Sequence, residues 1–158
     1  MAEILQITLE PLITKNKCPL ININVNNSVQ EIHLKEKLVL DITLTNRKNI
    51  ITIDFLNKSP KDTVVEDGAI VEDLAVMLQS LIYKNFNFHP YLEYISEYRK
   101  DNKEIVKNTN GFMGFKGTLE IKLKTPLFIT ARELFILSNK EYKGVGTKID
   151  DSYIQYAL

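Results

Sequence analysis

Leu38-Val39-Leu40-Asp41-Ile42-Thr43-Leu44, then Thr45-Asn46-Arg47-Lys48-Asn49, then Ile51-Thr52-Ile53-Asp54-Phe55 is the stretch whose reading decides the fold. Apolar residues recur at every second position on both sides of a short polar linker. Successive side chains of a strand point to opposite faces, so a period of two reads as half-buried strand and not as helix. The two runs read together as a β-hairpin.

The same alternation extends outward in both directions. Toward the N-terminus, Leu5, Ile7 and Leu9 alternate with Gln6 and Thr8 until Pro11, which reads as the end of the run. Ile21, Ile23 and Val25 alternate with Asn22 and Asn24, and Asn26-Asn27 supplies turn chemistry. Toward the C-terminus, Leu74, Val76 and Leu78 open a strand directed at Tyr83, and Leu119, Ile121 and Leu123 alternate with Glu120 and Lys122. Phe86 to Tyr98 is aromatic-rich and fits a strand or a short helix, whereas Arg99 to Asn110 reads as a loop. Pro126 to Leu137 fits a strand, or a short helix around Thr130-Ala131-Arg132-Glu133-Leu134. Ser138 to Leu158, with Gly144, Gly146 and Asp150-Asp151, reads as an extended arm. Short strands separated by turn signals predict an all-β chain: a jelly-roll-like antiparallel β-sandwich. The expected organisation is one domain over 1–137 and a C-terminal arm over 138–158 that reaches across neighbouring subunits.

Composition bounds the function. At 158 residues the chain suits one domain with its own core. Hydrophobic residues at 44%, charged residues at 25% and a mean hydropathy of -0.12 describe a water-soluble globule. Lys+Arg and Asp+Glu are both 20, so the net charge is zero. That balance argues against a general nucleic-acid binder and against a polybasic membrane-surface protein. Near-neutral proteins self-associate readily, which suits a subunit of an assembly. The opening Met1-Ala2-Glu3-Ile4-Leu5 has no basic region before an apolar run, so no signal peptide is expected and synthesis is expected in the cytoplasm.

Chemistry-bearing motifs are sparse. Cys18 is the only cysteine, which excludes an intramolecular disulfide and a CxxC site. Nucleophilic catalysis would need Cys18 or a serine activated by His33 or His89, and no nucleophile elbow frames any of them. The expectation is a chain that is not an enzyme. Gly144-Val145-Gly146-Thr147-Lys148 lacks the spacing of a phosphate loop. Gly111, Gly114 and Gly117, three apart with Phe112 and Phe115 between them, read as bulges or tight turns.

The most informative segment is Asp62-Thr63-Val64-Val65-Glu66-Asp67-Gly68-Ala69-Ile70-Val71-Glu72-Asp73. Hard cations such as calcium take several oxygen ligands from an acidic loop of this kind, and Asp62, Asp67, Glu72 and Asp73 form the candidate ligand set. The plain alternative is a solvated acidic loop turning at Asp67-Gly68. Phe86, Phe88, Tyr91, Tyr94 and Tyr98 form a second candidate site, a contact surface of aromatic anchors, unless they simply pack the core.

From Pro19 to Tyr83 the order of features resembles the calcium-dependent, xylan-binding type of carbohydrate-binding module. Those modules are β-sandwiches with a strand pair, an acid-rich loop, and a strand reading roughly Asp-Arg-Asn-Leu-Tyr-Val-Asp. Ile51-Thr52-Ile53-Asp54-Phe55-Leu56-Asn57 is similar to the first strand and its terminal Asn, and Glu72-Asp73-Leu74-Ala75-Val76 to the start of the second. The resemblance implies a loop-held calcium that chelates sugar hydroxyls. This chain carries Lys58 where a metal-holding Asp is common, Ala75 where an aromatic follows the Leu, and no Trp. An ammonium at that place would replace the cation's charge and hold the loop without metal. With Asn110 to Leu137 added, the chain also resembles small β-sandwich proteins encoded by tailed bacteriophages. The function expected is a non-enzymatic structural or decorating subunit of a larger particle, a phage virion, whose partners are other subunits or further copies. The alternative is a calcium-dependent glycan-binding module.

Overall fold

The computed structural model describes residues 2–141. In chain order the strands are β1 (Glu3–Leu12), β2 (Leu20–Val25), β3 (Ser28–His33), β4 (Leu38–Leu44), β5 (Lys48–Phe55), β6 (Val64–Glu66), β7 (Ala69–Glu72), β8 (Ala75–Tyr83), β9 (Phe86–Asn87), β10 (Ser96–Lys100), β11 (Ile105–Val106), β12 (Phe112–Met113) and β13 (Gly117–Lys124). Two helices interrupt them: a single turn, α1 (Leu92–Ile95), and the longer α2 (Leu127–Glu141).

These strands build an antiparallel β-sandwich. One sheet has the order β12-β8-β1-β4, with β9 also pairing β8; the other has the order β11-β10-β13-β5-β2-β3. The β6–β7 hairpin belongs to neither sheet. The chain crosses from one sheet to the other at most connections, in jelly-roll-like fashion. Alternation explains the layering: Leu5, Ile7 and Leu9 of one sheet and Ile51, Ile53, Phe55, Leu119 and Ile121 of the other join one buried cluster. Polar neighbours such as Gln6 and Lys122 face outward, whereas Thr8 is buried.

Several expectations change. The β4 and β5 runs are strands, but they do not form a hairpin. β4 pairs only with β1, while β5 pairs with β13 and β2, so the linker carries the chain from one sheet to the other. Asn49, 1% exposed, makes that corner possible. Its side chain donates to the carbonyls of Asn46 (2.8 Å) and Leu123 (3.3 Å) and accepts from Asn26 Nδ2 (2.8 Å). Pro11 does not end β1: it pairs with Val76, beyond the point where β4 stops at Leu9, so its missing N–H faces an edge. Asn26 and Asn27, with φ of 48° and 73°, form the two-residue turn of a β2–β3 hairpin.

The segment from Phe86 to Tyr98 divides into β9, a 3-10 turn at His89–Tyr91, α1 and the start of β10. β10 then continues to Lys100 and pairs with β11, inside the stretch read as loop. Gly117 has no room for a side chain, because a Cβ there would collide with the Arg99 carbonyl.

The stretch after Pro126 is helix from Leu127, and α2 runs past Ser138 to Glu141, so the expected arm boundary falls inside its last turn. Leu127, Thr130, Ala131 and Leu134, at helical spacing, are buried. Glu3 Oε1 accepts the Leu127 N–H at 2.7 Å and anchors the start of α2 to β1. The rest of the expected arm, with the Gly144–Lys148 motif, lies outside the described residues. Among the described residues no helix is long and apolar enough to cross a membrane.

Candidate functional site

The acidic segment between β5 and β8 is ordered by ammonium groups. Lys58 leaves the end of β5 and turns inward, with only 6% of its side chain exposed. Its Nζ donates to Asp73 Oδ1, to the Leu74 carbonyl at 2.6 Å and to Thr63 Oγ1 at 3.0 Å. The Thr63 hydroxyl in turn donates a hydrogen bond to Asp73 Oδ1 (2.7 Å), which also accepts the Leu74 N–H (2.9 Å). The ammonium therefore sits in a cage of oxygens, the kind of surroundings a hard cation would take. This clasp closes the loop at the base of the β6–β7 hairpin.

The four candidate metal ligands go separate ways. Asp62 caps the 3-10 turn Pro60–Asp62, accepting the Ser59 N–H at 2.7 Å, and pairs with Lys17 Nζ at 2.9 Å. Burial alone would raise its pKa, but Lys17 and the Ser59 amide outweigh that and hold the carboxyl below its ordinary value. Glu72 Oε1 accepts the Lys15 backbone N–H at 2.6 Å. Asp67 stands in the hairpin turn with φ 53°, followed by Gly68 with φ 78°. Asp73 is held by Lys58. Among the described residues no three His, Cys, Asp or Glu side chains converge as a metal site would require.

The aromatic candidates also divide. Phe88 is fully buried and Tyr98 nearly so, both within the core cluster. The Tyr98 hydroxyl donates to the Phe115 carbonyl and accepts the Phe115 N–H at 2.9 Å, pinning the loop before β13. Burial pushes its pKa up to about 12. Phe86, Tyr91 and Tyr94 are half-buried against the core. Phe86 meets Phe88 edge-on at 4.8 Å and stacks on Tyr91 at 5.6 Å. Phe88 and Tyr98 are thus core residues, and what remains at the surface is the Phe86–Tyr91 stack with Tyr94 nearby in the chain.

Cys18 is half-buried, and its carbonyl accepts from Asn57 Nδ2 at 3.0 Å. Neither histidine hydrogen-bonds its thiol among the described residues. His33 is exposed at the end of β3, and His89 Nε2 is buried without a hydrogen-bond partner among them.

Sequence reasoning singled out the acidic loop at one end of the sandwich for its carboxylates, but neither its apolar side chains nor the cleft at the other end. At one end, a cleft of about 1070 Å³ lies between the start of β1, the β4–β5 corner, the end of β8 and the start of α2. Ile4, Pro126 and Phe128 form apolar walls, and Arg47, Lys84 and Tyr83 bring polar groups. Glu3 engages the Tyr83 hydroxyl, which raises that phenol's pKa. At the other end the β6–β7 hairpin presents Val65, Ile70 and Val71 to solvent, all more than half exposed. Compared with protein-family models, with curated proteins and with solved structures, the chain has no significant match.

Proposed function

We propose that this chain is a non-enzymatic structural subunit of a larger particle, in the manner of the small phage β-sandwich proteins it resembles. The observation that carries this reading is where the exposed apolar side chains gather. Ile4 and Phe128 line the cleft at one end of the sandwich and Val65, Ile70 and Val71 group at the other, while Val29, Val39, Ile50, Ile105, Phe115 and Leu137 are exposed elsewhere. Apolar residues scattered singly over a surface need no explanation, whereas groups of them mark contact sites. The rigid sandwich between these ends would act as a spacer, and no bond-making chemistry is asked of it.

The alternative, a calcium-dependent glycan-binding module, draws on the acidic loop. Lys58 already supplies a cation to Asp73 there, and Asp62 and Glu72 are each committed to their own donors. The discriminating experiment titrates calcium into the purified protein by calorimetry and measures sedimentation over a concentration series. The subunit reading expects no saturable calcium heat and mass that grows with concentration or with an added partner subunit. Saturable calcium binding that raises the melting temperature would favour the glycan module instead.

A further inference from the structure

The two apolar ends differ in charge. The tip of the β6–β7 hairpin carries Glu66 and Asp67 beside Val65 and Ile70, which stand directly opposite one another across its strands. The cleft carries Arg47 and Lys84 beside Ile4 and Phe128. Among the described residues none of these four charged groups has an ion-pair partner, though Lys84 rests on the Tyr83 ring and Lys15 borders Glu66. Glu3 keeps its charge while accepting from Leu127 and Tyr83, so Arg47 and Lys84 leave the cleft net positive, and Glu66, Asp67 and Glu72 outweigh Lys15 at the hairpin. One end therefore offers an acidic, apolar projection and the other a basic, apolar recess.

The strands keep the two apart. β1 runs from Glu3 and Ile4 at the cleft to Leu12, next to Ile13 beside the hairpin, a distance of roughly 30 Å at the ordinary strand rise. A hairpin on that end cannot reach its own cleft. We propose that the β6–β7 hairpin of one copy seats in the cleft of the next, so that copies join head to tail. Such a joint leaves a free hairpin at one end and a free cleft at the other, so it propagates into a ring or a filament. A two-stranded ribbon is marginal by itself. The Lys58 clasp and the Glu72–Lys15 hydrogen bond hold this one at its base, which keeps it presented. A contact of hairpin size is small, so the joint is weak and its occupancy depends on concentration.

This inference rests on the subunit reading above, and one experiment separates their fates. Two variants of the full chain are prepared, a hairpin variant Glu66→Lys/Ile70→Lys and a cleft variant Arg47→Ala/Phe128→Lys, so that the altered hairpin and the altered cleft repel one another. All four positions are exposed, so melting temperatures close to wild type are expected. If one of the apolar changes impairs folding, the charge-only variants Glu66→Lys and Arg47→Ala carry the same test, since the altered hairpin and the altered cleft do not complement one another. Mass is read by light scattering after size exclusion over a wide concentration range. The expected result is growth of the wild type beyond a dimer, with each variant monomeric over that range. An equimolar mixture of the two variants then forms dimers and nothing larger, because only one intact hairpin–cleft joint remains. A mixture that stays monomeric overturns the joint. Variants that assemble like the wild type overturn it too but leave the subunit reading in place. A wild type that is monomeric throughout, alone and with candidate partner subunits, overturns both.

Discussion

Replacing Lys58 by Met keeps the aliphatic stem and removes the ammonium. Asp73, with 14% of its side chain exposed, would then keep the Thr63 hydroxyl and the Leu74 N–H but lose its counter-charge. Stranding a buried charge costs about 3–5 kcal/mol. The two surviving hydrogen bonds place this case at the lower end, about 3 kcal/mol. The Leu74 carbonyl, on a fully buried residue, loses its lysine donor as well, which adds about 1 kcal/mol. For a domain of this size each kcal/mol moves the melting temperature by about 2–4 °C, so the Lys58→Met variant should melt about 8–16 °C below wild type. Urea unfolding followed by circular dichroism measures the free energy directly. Adding Asp73→Leu to Lys58→Met removes the stranded charge, and the double variant should recover much of the loss. The reasoning is wrong if Lys58→Met costs less than about 1 kcal/mol, or if the two substitutions add without coupling.

Asn49→Leu should destabilise by about 2–4 kcal/mol, because it strands the Asn46 and Leu123 carbonyls at the corner; the denaturation midpoint reads it. Stability should also fall at both extremes of pH. The depressed Asp62 contributes stability that is present above the ordinary carboxylate value of 3.8 and lost as pH falls through its lower folded value. The raised Tyr98 contributes stability that is intact below its ordinary value of 10.0 and lost as pH rises toward about 12. Thermal melts against pH check both limbs, and they should flatten in Asp62→Asn and Tyr98→Phe respectively.

How much of this was legible in the sequence depends on which interaction decides each feature. Alternation reports which face a residue takes, so β1, β2, β5, β8 and β13 could be read from their apolar positions. It is silent about the strand alongside. The β4–β5 linker therefore looked like a hairpin, although Leu44 pairs with Glu3 and Lys48 with Lys124 in different sheets. The clue was Asn49, a polar residue in phase with the inward positions Ile51 and Ile53. The helix α2 was legible in principle, since Leu127, Ala131 and Leu134 lie at helical spacing. Phe128, Ile129 and Leu137 on its exposed sides blurred that stripe into an apolar run. The Asp67-Gly68 turn was visible because its chemistry is local. Lys58 was legible as the loop's counter-charge, but which carboxylate it would hold was not, because the pair with Asp73 spans a loop whose path only the folded chain specifies.

The neutrality of the chain acquires a different meaning once the charges are placed. A zero sum argues against binding a polyanion over the whole surface, but it does not require that charge be evenly spread. Lys17 and Lys58 are used up inside the loop, where they hold Asp62 and Asp73. Among the described residues that leaves Glu66 and Asp67 at the hairpin tip without an ion pair, with Lys15 bordering Glu66, while Arg47 and Lys84 at the opposite end are likewise unpaired by any carboxylate and Lys84 rests on Tyr83. A calcium ion bound by the same carboxylates would also neutralise the loop, but its hold would depend on the metal supply. A lysine fixed in the chain leaves the hairpin's geometry independent of ions, which is what the proposed joint would ask of the part that enters the cleft. The same logic separates the roles of Lys58 and Glu66: the first shapes the hairpin, and the second is the one the proposed joint would place against a partner. Losing the first should weaken fold and joint together, whereas losing the second should weaken the joint alone.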